Sequence, residues 1–429
     1  MNTVEIRSGR YDVVVIGGGL AGLTAAALAA GGGAKTLVVE PHGLGGRSRT
    51  DNRDGYSLNR GAHALYRKGH GIDVLGRLGI NPVGHQPPTV GAMGLRGDSL
   101  LPLPIGTAAL TTRLLGVRAK ARMSRVLPML ARLDPRDYAD RTVGQWLAEL
   151  DLPTDADALL RTLLRTGSYT EAFDQLSADV AITQNQAASH GVLYLDGGWA
   201  QMVAAVAAVA RSRSVEFVKT AVDGVELGST GGGLTVRCRD RALTASAVVI
   251  AAGTPGASQA LLPDVSFGLP AAYAEARLSC LDLALRRVPE HRFILGVGRP
   301  VYCINHCPPA SLAPNGGAVV HVMRYLGTNE HPSADSTRSE LRGIAEIAGV
   351  RAADIVYDRY LHSMTAVSLL TTPDSGGLKG RPPVVVADAP GVFLAGDWVG
   401  DQGWLVDASL ASGERAGQLA ALACATVGG

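Results

Sequence analysis

The chain has 429 residues, 46% of them hydrophobic and 18% charged, with a formal net charge of +2. That length exceeds one ordinary domain and predicts two of comparable size. The near-neutral charge argues against a nucleic-acid partner, and no run approaches the ~18 apolar residues of a membrane-spanning helix.

The first apolar run follows a polar stretch carrying Glu5, which does not read as a signal peptide. Its strand, over 13–16, feeds Gly17-Gly18-Gly19-Leu20-Ala21-Gly22, and a small-residue helix is expected over 23–30. In such a G-x-G-x-x-G turn Gly17 permits the tight bend, Gly19 lets the backbone approach a pyrophosphate, and Gly22 lets helix and strand pack closely. Leu20 and Ala21 stand at the helix N-terminus, where unpaired N–H groups and a positive dipole end favour phosphate. A second apolar run, over 37–39, ends in Glu40, whose carboxylate can accept both ribose hydroxyls and would repel a 2′-phosphate. Strand, helix and acid in register specify a dinucleotide site.

Ala26 and Gly33 extend the motif so that it resembles the FAD signature of the glutathione reductase superfamily. Downstream stand Gly45-Gly46-Arg47-Ser48-Arg49-Thr50 and the run from Gly55 to His63. Both are similar to elements of the flavin amine oxidase, protoporphyrinogen oxidase and phytoene desaturase group. Two glycines let that loop pass close to a ligand, and the Arg47 fork can neutralise a pyrophosphate charge.

Three later segments extend the resemblance. Leu195-Asp196-Gly197-Gly198-Trp199 looks like the turn that returns the chain to the flavin domain. A strand over 218–225 would hold the adenine edge near Val222, and the run over 247–253, ending in Gly253, would be a second flavin-contact strand. Near the C-terminus, the run over 392–398 presents Gly396 and Asp397, whose carboxylate would bond a ribitol hydroxyl. The helix opening at about Leu405 would aim backbone N–H groups near Val406 and Ala408 at the flavin N1/O2 edge. The implied fold is α/β: a glutathione-reductase-type FAD-binding Rossmann domain (1–75, 195–260 and 385–429) with an inserted α+β substrate domain (76–194 and 261–384).

The first insertion reads as helical over 127–133, 143–150 and 158–164, and the second as strands over 278–285, 318–325 and 354–361. Arg113, Arg118, Lys120, Arg122 and Arg125, interleaved with Leu114, Leu115, Val117 and Met123, read either as a solvated helix face or as a patch that touches a membrane. Five scattered cysteines do not form a disulfide framework, so a cytoplasmic, reducing location is expected, with peripheral membrane contact open. The cluster Cys303-Ile304-Asn305-His306-Cys307 lacks a second pair at zinc spacing, and no metal is expected.

A flavin held this way accepts a hydride at N5 from a substrate C–H bond, and the protein contributes orientation and dryness. The amine oxidase branch typically carries a lysine near N5, whereas no lysine occurs here between Lys219 and Lys379. The segments over 302–322 and 391–413 look more like the phytoene desaturase-like branch. Expected is therefore a dehydrogenase or desaturase acting on an apolar or amphipathic small molecule, with oxygen or quinone as electron acceptor. Alternatives are an amine or amino-acid oxidase, a redox-neutral flavin isomerase and a non-enzymatic prenyl-binding escort protein. No general base is assigned. His63, Trp398 and Trp404 are candidates near the ring, the tryptophans being read equally well as core, and His306, His321, Arg324 and His362 could meet a polar substrate end.

Overall fold

The computed structural model describes residues 10–228, 233–239 and 241–427, so Glu5 lies outside the described residues. The first strand, β1, is Arg10–Ile16, followed by α1, Leu20–Gly31, and β2, Thr36–Val39. The helix starts three residues before the expected one because extended Gly19 caps it and Gly22 lies inside its first turn. β1 pairs in parallel with β2 on one side and with the long strand Arg241–Ile250 on the other. That long strand has one edge shared by two partners: its first half takes antiparallel Leu234–Cys238, and its last three residues take parallel Val392–Leu394. Two distant pieces of chain are thereby brought to the C-terminal edge of β1, where doubly wound sheets bind ligands.

One expected element divides. The strand expected over 218–225 is two strands, Glu216–Val218 parallel to β2 and Val222–Glu226 antiparallel to Leu234–Cys238. The C-terminal helix, Val406–Val427, packs on α1 through glycines. A Cβ on Gly413 would stand 2.4 Å from the Ala21 carbonyl oxygen, and one on Gly417 2.3 Å from that of Ala25. Only bare backbone at Gly413 and Gly417 permits that approach, and α1 meets it at the small residues Ala21 and Ala25.

A second, seven-stranded sheet runs in the order Ile355–Val367, Ala276–Leu285, Ala318–Leu326, Val301–Asn305, Phe293–Gly296, Met93–Arg96, Ser99–Pro102. Side chains alternate between its faces. Leu281, Leu283, Val320 and Val322 pack beneath the outer helix Ala334–Ile347. Leu278, Cys280, Met323 and Tyr325 face the helices Val117–Leu130, Val143–Glu149, Thr154–Ser168 and Ala178–Ser189. The basic segment is thus half core: Leu114, Leu115 and Met123 are buried, and only Val117 of the four interleaved apolar residues is outside.

Candidate functional site

Each glycine of the first motif meets a different demand. Gly17 has φ +113°, and a Cβ there would be 2.2 Å from the Ala251 carbonyl oxygen. A Cβ on Gly22 would be 2.1 Å from the Gly17 carbonyl oxygen, whereas one on Gly19 would meet nothing within 4 Å. The first two are fixed by packing, and the third leaves backbone open to an incoming group. α1 has neither a side-chain cap nor an acidic residue in its first turn, so the N–H groups of Leu20, Ala21 and Gly22 face that opening without a competing side-chain acceptor.

Two further loops join the cradle. Gly45 N–H donates to the Gly18 carbonyl at 2.7 Å, laying the Gly45–Gly46 turn beside Gly19. The Glu40 carboxylate is fixed from both ends, accepting from Gly18 N–H and His42 N–H at 2.8 Å each. Glu40 N–H donates to Val218 O. Val222 is half-buried at an irregular point of its strand, and Gly253 is exposed with φ +95°.

Arg47 does not stand free for a phosphate. Its guanidinium forks onto Asp397, with Nη2–Oδ1 at 2.5 Å and Nη1–Oδ2 at 3.1 Å. Asp397 Oδ2 also accepts from Ser368 N–H at 3.0 Å, so this carboxylate has partners that sequence reading did not give it. The attraction is direct: a buried carboxylate needs a counter-charge, and Arg supplies a planar one. Asp397 is buried while 41% of the Arg47 side chain stays exposed, so the guanidinium faces an opening, the cleft, on its other side. Arg47 Nη1 lies 3.5 Å from the Ala366 carbonyl, two residues along the strand from Met364, which packs against Gly61. Next to Gly61, the Ala62 carbonyl accepts from the Tyr169 hydroxyl at 3.1 Å.

His63 is half-buried in the same wall. Its Nδ1 pairs with the Gly61 carbonyl at 2.9 Å, and its ring meets Trp199 edge-on at 4.6 Å between centroids. Burial pushes its pKa down to about 4, with His321 and Arg47 adding to the effect against Gly61 O and Asp282, so the ring is neutral near pH 7.

Gly396 and the C-terminal helix are tied together, since Ser412 Oγ accepts from Gly396 N–H and donates to Gly396 O. Trp398 is 0% exposed and Trp404 1%, with Trp404 Nε1 donating to Ser168 O. Both rings are closed in by core side chains, the second of the two readings that the sequence left open. Val406 and Ala408 are also buried, leaving only their backbone to a ligand. Between them Asp407, missed by sequence reading, lies against Gly69 and Gly71, and burial pushes its pKa up to about 7.

Of the substrate-domain candidates, His306 and His321 face inward. Arg324 turns outward to Glu330 and Glu340, and exposed His362 pairs with Tyr360, so neither reaches the cleft. His321 Nδ1 meets Asp282 Oδ1 at 2.5 Å with both side chains fully buried. Arg359 donates to Asp282 Oδ2 at 2.6 Å, to the Asn59 carbonyl at 2.5 Å and to Asp51. This network straps the Thr50–Asn59 hairpin region to the second sheet. Cys280, Asp282 and His321 are close enough to share an ion. Arg359 already neutralises Asp282, however, and would repel a cation. Cys303 and Cys307 lie in cores on opposite faces of the sheet and do not converge with His306.

A family model described as flavin containing amine oxidoreductase matches residues 20–420. Among solved structures, cyclohexylamine oxidase from Brevibacterium oxydans is 21% identical, covering 97% of this chain and 99% of its own, at TM-score 0.69. An oxidoreductase from Methanosarcina mazei is 16% identical, covering 94% and 99%, at 0.73. A putrescine oxidase bound to putrescine is 16% identical, covering 96% and 99%, at 0.75. At these identities the likeness is one of fold. An uncharacterized protein in the nifH2 3′ region of Methanothermococcus thermolithotrophicus is 42% identical over 53 residues, which is 12% of this chain and about half (52%) of that relative.

Proposed function

The chain belongs to the flavin-containing amine oxidoreductase family, and from that premise we propose that this FAD-dependent oxidoreductase removes a hydride from a C–H bond of an apolar or amphipathic small molecule. The observation that carries the cofactor side is the joined cradle: Gly19 with open space where a Cβ would be, an uncapped helix N-terminus, and the Gly45–Gly46 turn bonded to Gly18. These features fit a dinucleotide. Gly17, Gly19, Leu20, Ala21 and Gly22 would hold the pyrophosphate, Glu40 a ribose, and Val222 the adenine edge. Gly45, Gly46, Gly253, Gly396 and the Arg47–Asp397 pair would line the ribitol and flavin end, with backbone at Val406 and Ala408 toward the pyrimidine edge. FAD bound there supplies a two-electron acceptor.

The substrate side rests on the cleft wall. Tyr169, Met364 and Ala366 are half-buried and mostly apolar, and the charge among them, Arg47, is already paired with Asp397. His63 contributes a neutral acceptor. Moving a proton at pH 7 onto a group with a pKa near 4 costs about 4 kcal/mol, so hydride loss without a strong base suits this wall. Neither flanking lysine substitutes for the missing one: Lys219 is exposed, and Lys379 lies near Asp134.

An amine or amino-acid oxidase is the second reading, favoured by the family and by the cyclohexylamine and putrescine oxidases that share the fold. A redox-neutral isomerase would use the same cradle, whereas an escort protein would not need it. Oxygen or quinone would take the electrons. A cytoplasmic location is proposed; among the described residues no helix is long and apolar enough to cross a membrane. Anaerobic mixing with panels of apolar alcohols, isoprenoids and amines tests the reading. Bleaching of the flavin by the apolar panel supports it, and bleaching by amines alone overturns it.

A further inference from the structure

Positive charge is unevenly distributed along this chain. Between Asp98 and Asp134 there is no acidic residue, while Arg113, Arg118, Lys120, Arg122, Arg125 and Arg132 all fall there. Against a net charge of +2 this leaves the rest of the chain net negative. The segment also exposes large apolar side chains: Leu110 is 83% exposed, Val117 85% and Ile105 43%. Lys120 Nζ donates to the Leu110 carbonyl at 2.7 Å and so holds Leu110 against the first turn of the helix Val117–Leu130, with Ile105 five residues earlier in the same segment.

The helix presents two faces. Ala119, Met123, Val126 and Leu130 recur at helical spacing and are buried. On the opposite side Val117, Ala121, Ser124 and Pro128 form an exposed uncharged stripe, with Arg118 and Arg125 along one flank and Lys120 along the other. At the stripe's start the Asp155 carboxylate accepts Gly116 N–H at 2.6 Å. We infer that the loop tip at Ile105, Leu110 and Val117 inserts into the interface of an anionic lipid bilayer while the flanking cations meet its headgroups. Uncharged tips ringed by cations match a surface that is apolar within and negative at its edge. A nucleic acid would match the cations but leave Leu110 and Val117 in water. The helix belongs to the insertion that packs on the second sheet, so the docked face would bring the substrate domain to the membrane, where apolar molecules partition. This inference stands on surface chemistry and does not depend on which substrate is oxidised.

The test is co-sedimentation of the flavin-loaded protein with vesicles of phosphatidylglycerol mixed into phosphatidylcholine, beside pure phosphatidylcholine. Binding should favour the anionic vesicles by at least about tenfold at about 0.1 M salt and weaken steeply toward about 1 M. Arg118→Glu with Arg125→Glu, and separately Leu110→Ser with Val117→Ser, should each lower it by about tenfold or more while the bound-flavin absorbance stays unchanged. Equal binding to both vesicle types, no binding to either, insensitivity to both variant pairs, or preferential retention by a random DNA duplex over anionic vesicles would overturn the inference.

Discussion

Alanine at each of the three motif glycines should give three different proteins, because each position is glycine for its own reason. At Gly22 the new Cβ would stand 2.1 Å from a backbone oxygen of the same motif, where neither strand nor helix can retreat. The usual helix preference for Ala, worth about 1 kcal/mol, is outweighed by that overlap, and a net loss of about 3 kcal/mol or more is expected. Gly17→Ala adds backbone strain at φ +113° to a 2.2 Å overlap and should cost at least as much. Gly19 has φ −74° and ψ 176°, which any residue adopts, and open space at its Cβ. Gly19→Ala should leave the stability of the flavin-free protein within about 0.5 kcal/mol of the parent. Its Cβ then occupies the path of the pyrophosphate, so FAD affinity should fall about tenfold or more, about 1.4 kcal/mol. Thermal unfolding of flavin-free protein, with FAD titration by quenching of flavin fluorescence, separates the two effects. Destabilisation by Gly19→Ala comparable to that of Gly22→Ala, or unchanged FAD affinity, would refute the assignment of roles.

Other outcomes follow from the buried charges. Asp397→Ala should weaken FAD binding by about 1.5–3 kcal/mol, and in a double-mutant cycle with Arg47→Ala the two losses should be non-additive by about 1 kcal/mol; strict additivity contradicts the pairing. Asp407 has its folded pKa raised by burial to about 7 from 3.8, so it binds a proton more tightly folded than unfolded. Its burden is absent below about pH 4, grows as pH rises toward 7 and is constant above, reaching up to about 4 kcal/mol. Asp407→Asn should thus match the parent in denaturant unfolding near pH 4 and exceed it at pH 8, and parallel stability curves would contradict this. Asp282→Ala strands Arg359 and His321 and should cost about 3–5 kcal/mol with faster proteolysis of the Thr50–Asn59 region; a loss below about 1 kcal/mol would show that the strap carries little.

What could be read from sequence was whatever a residue's immediate neighbours decide. Gly17, Gly19 and Gly22 are legible because a turn, an approach and a packing contact each act within a few residues. The break between Glu216–Val218 and Val222–Glu226 was not, since Lys219-Thr220-Ala221 holds no Gly, Pro or Asn to mark a turn. Partners far apart in sequence were illegible as well. Arg47 and Asp397 are 350 residues apart, and both were singled out, but only the fold could set them against each other. His321 and Arg324 read alike as contacts for a polar substrate end; they lie three residues apart on one strand and so on opposite faces, and the helix Ala334–Ile347 covering one face decides which side is inner. Trp398 and Trp404 read equally well as ring walls and as core, since adjacency to a flavin motif could not choose between the two, and both rings are buried.

The central claim is that the cradle around Gly19 holds FAD for redox work. The visible spectrum of freshly purified protein, with identification of the chromophore released on heating, tests it most directly. FAD at close to one equivalent per chain is the predicted result. A colourless protein that takes up no added FAD, with its fold intact by circular dichroism, would contradict it.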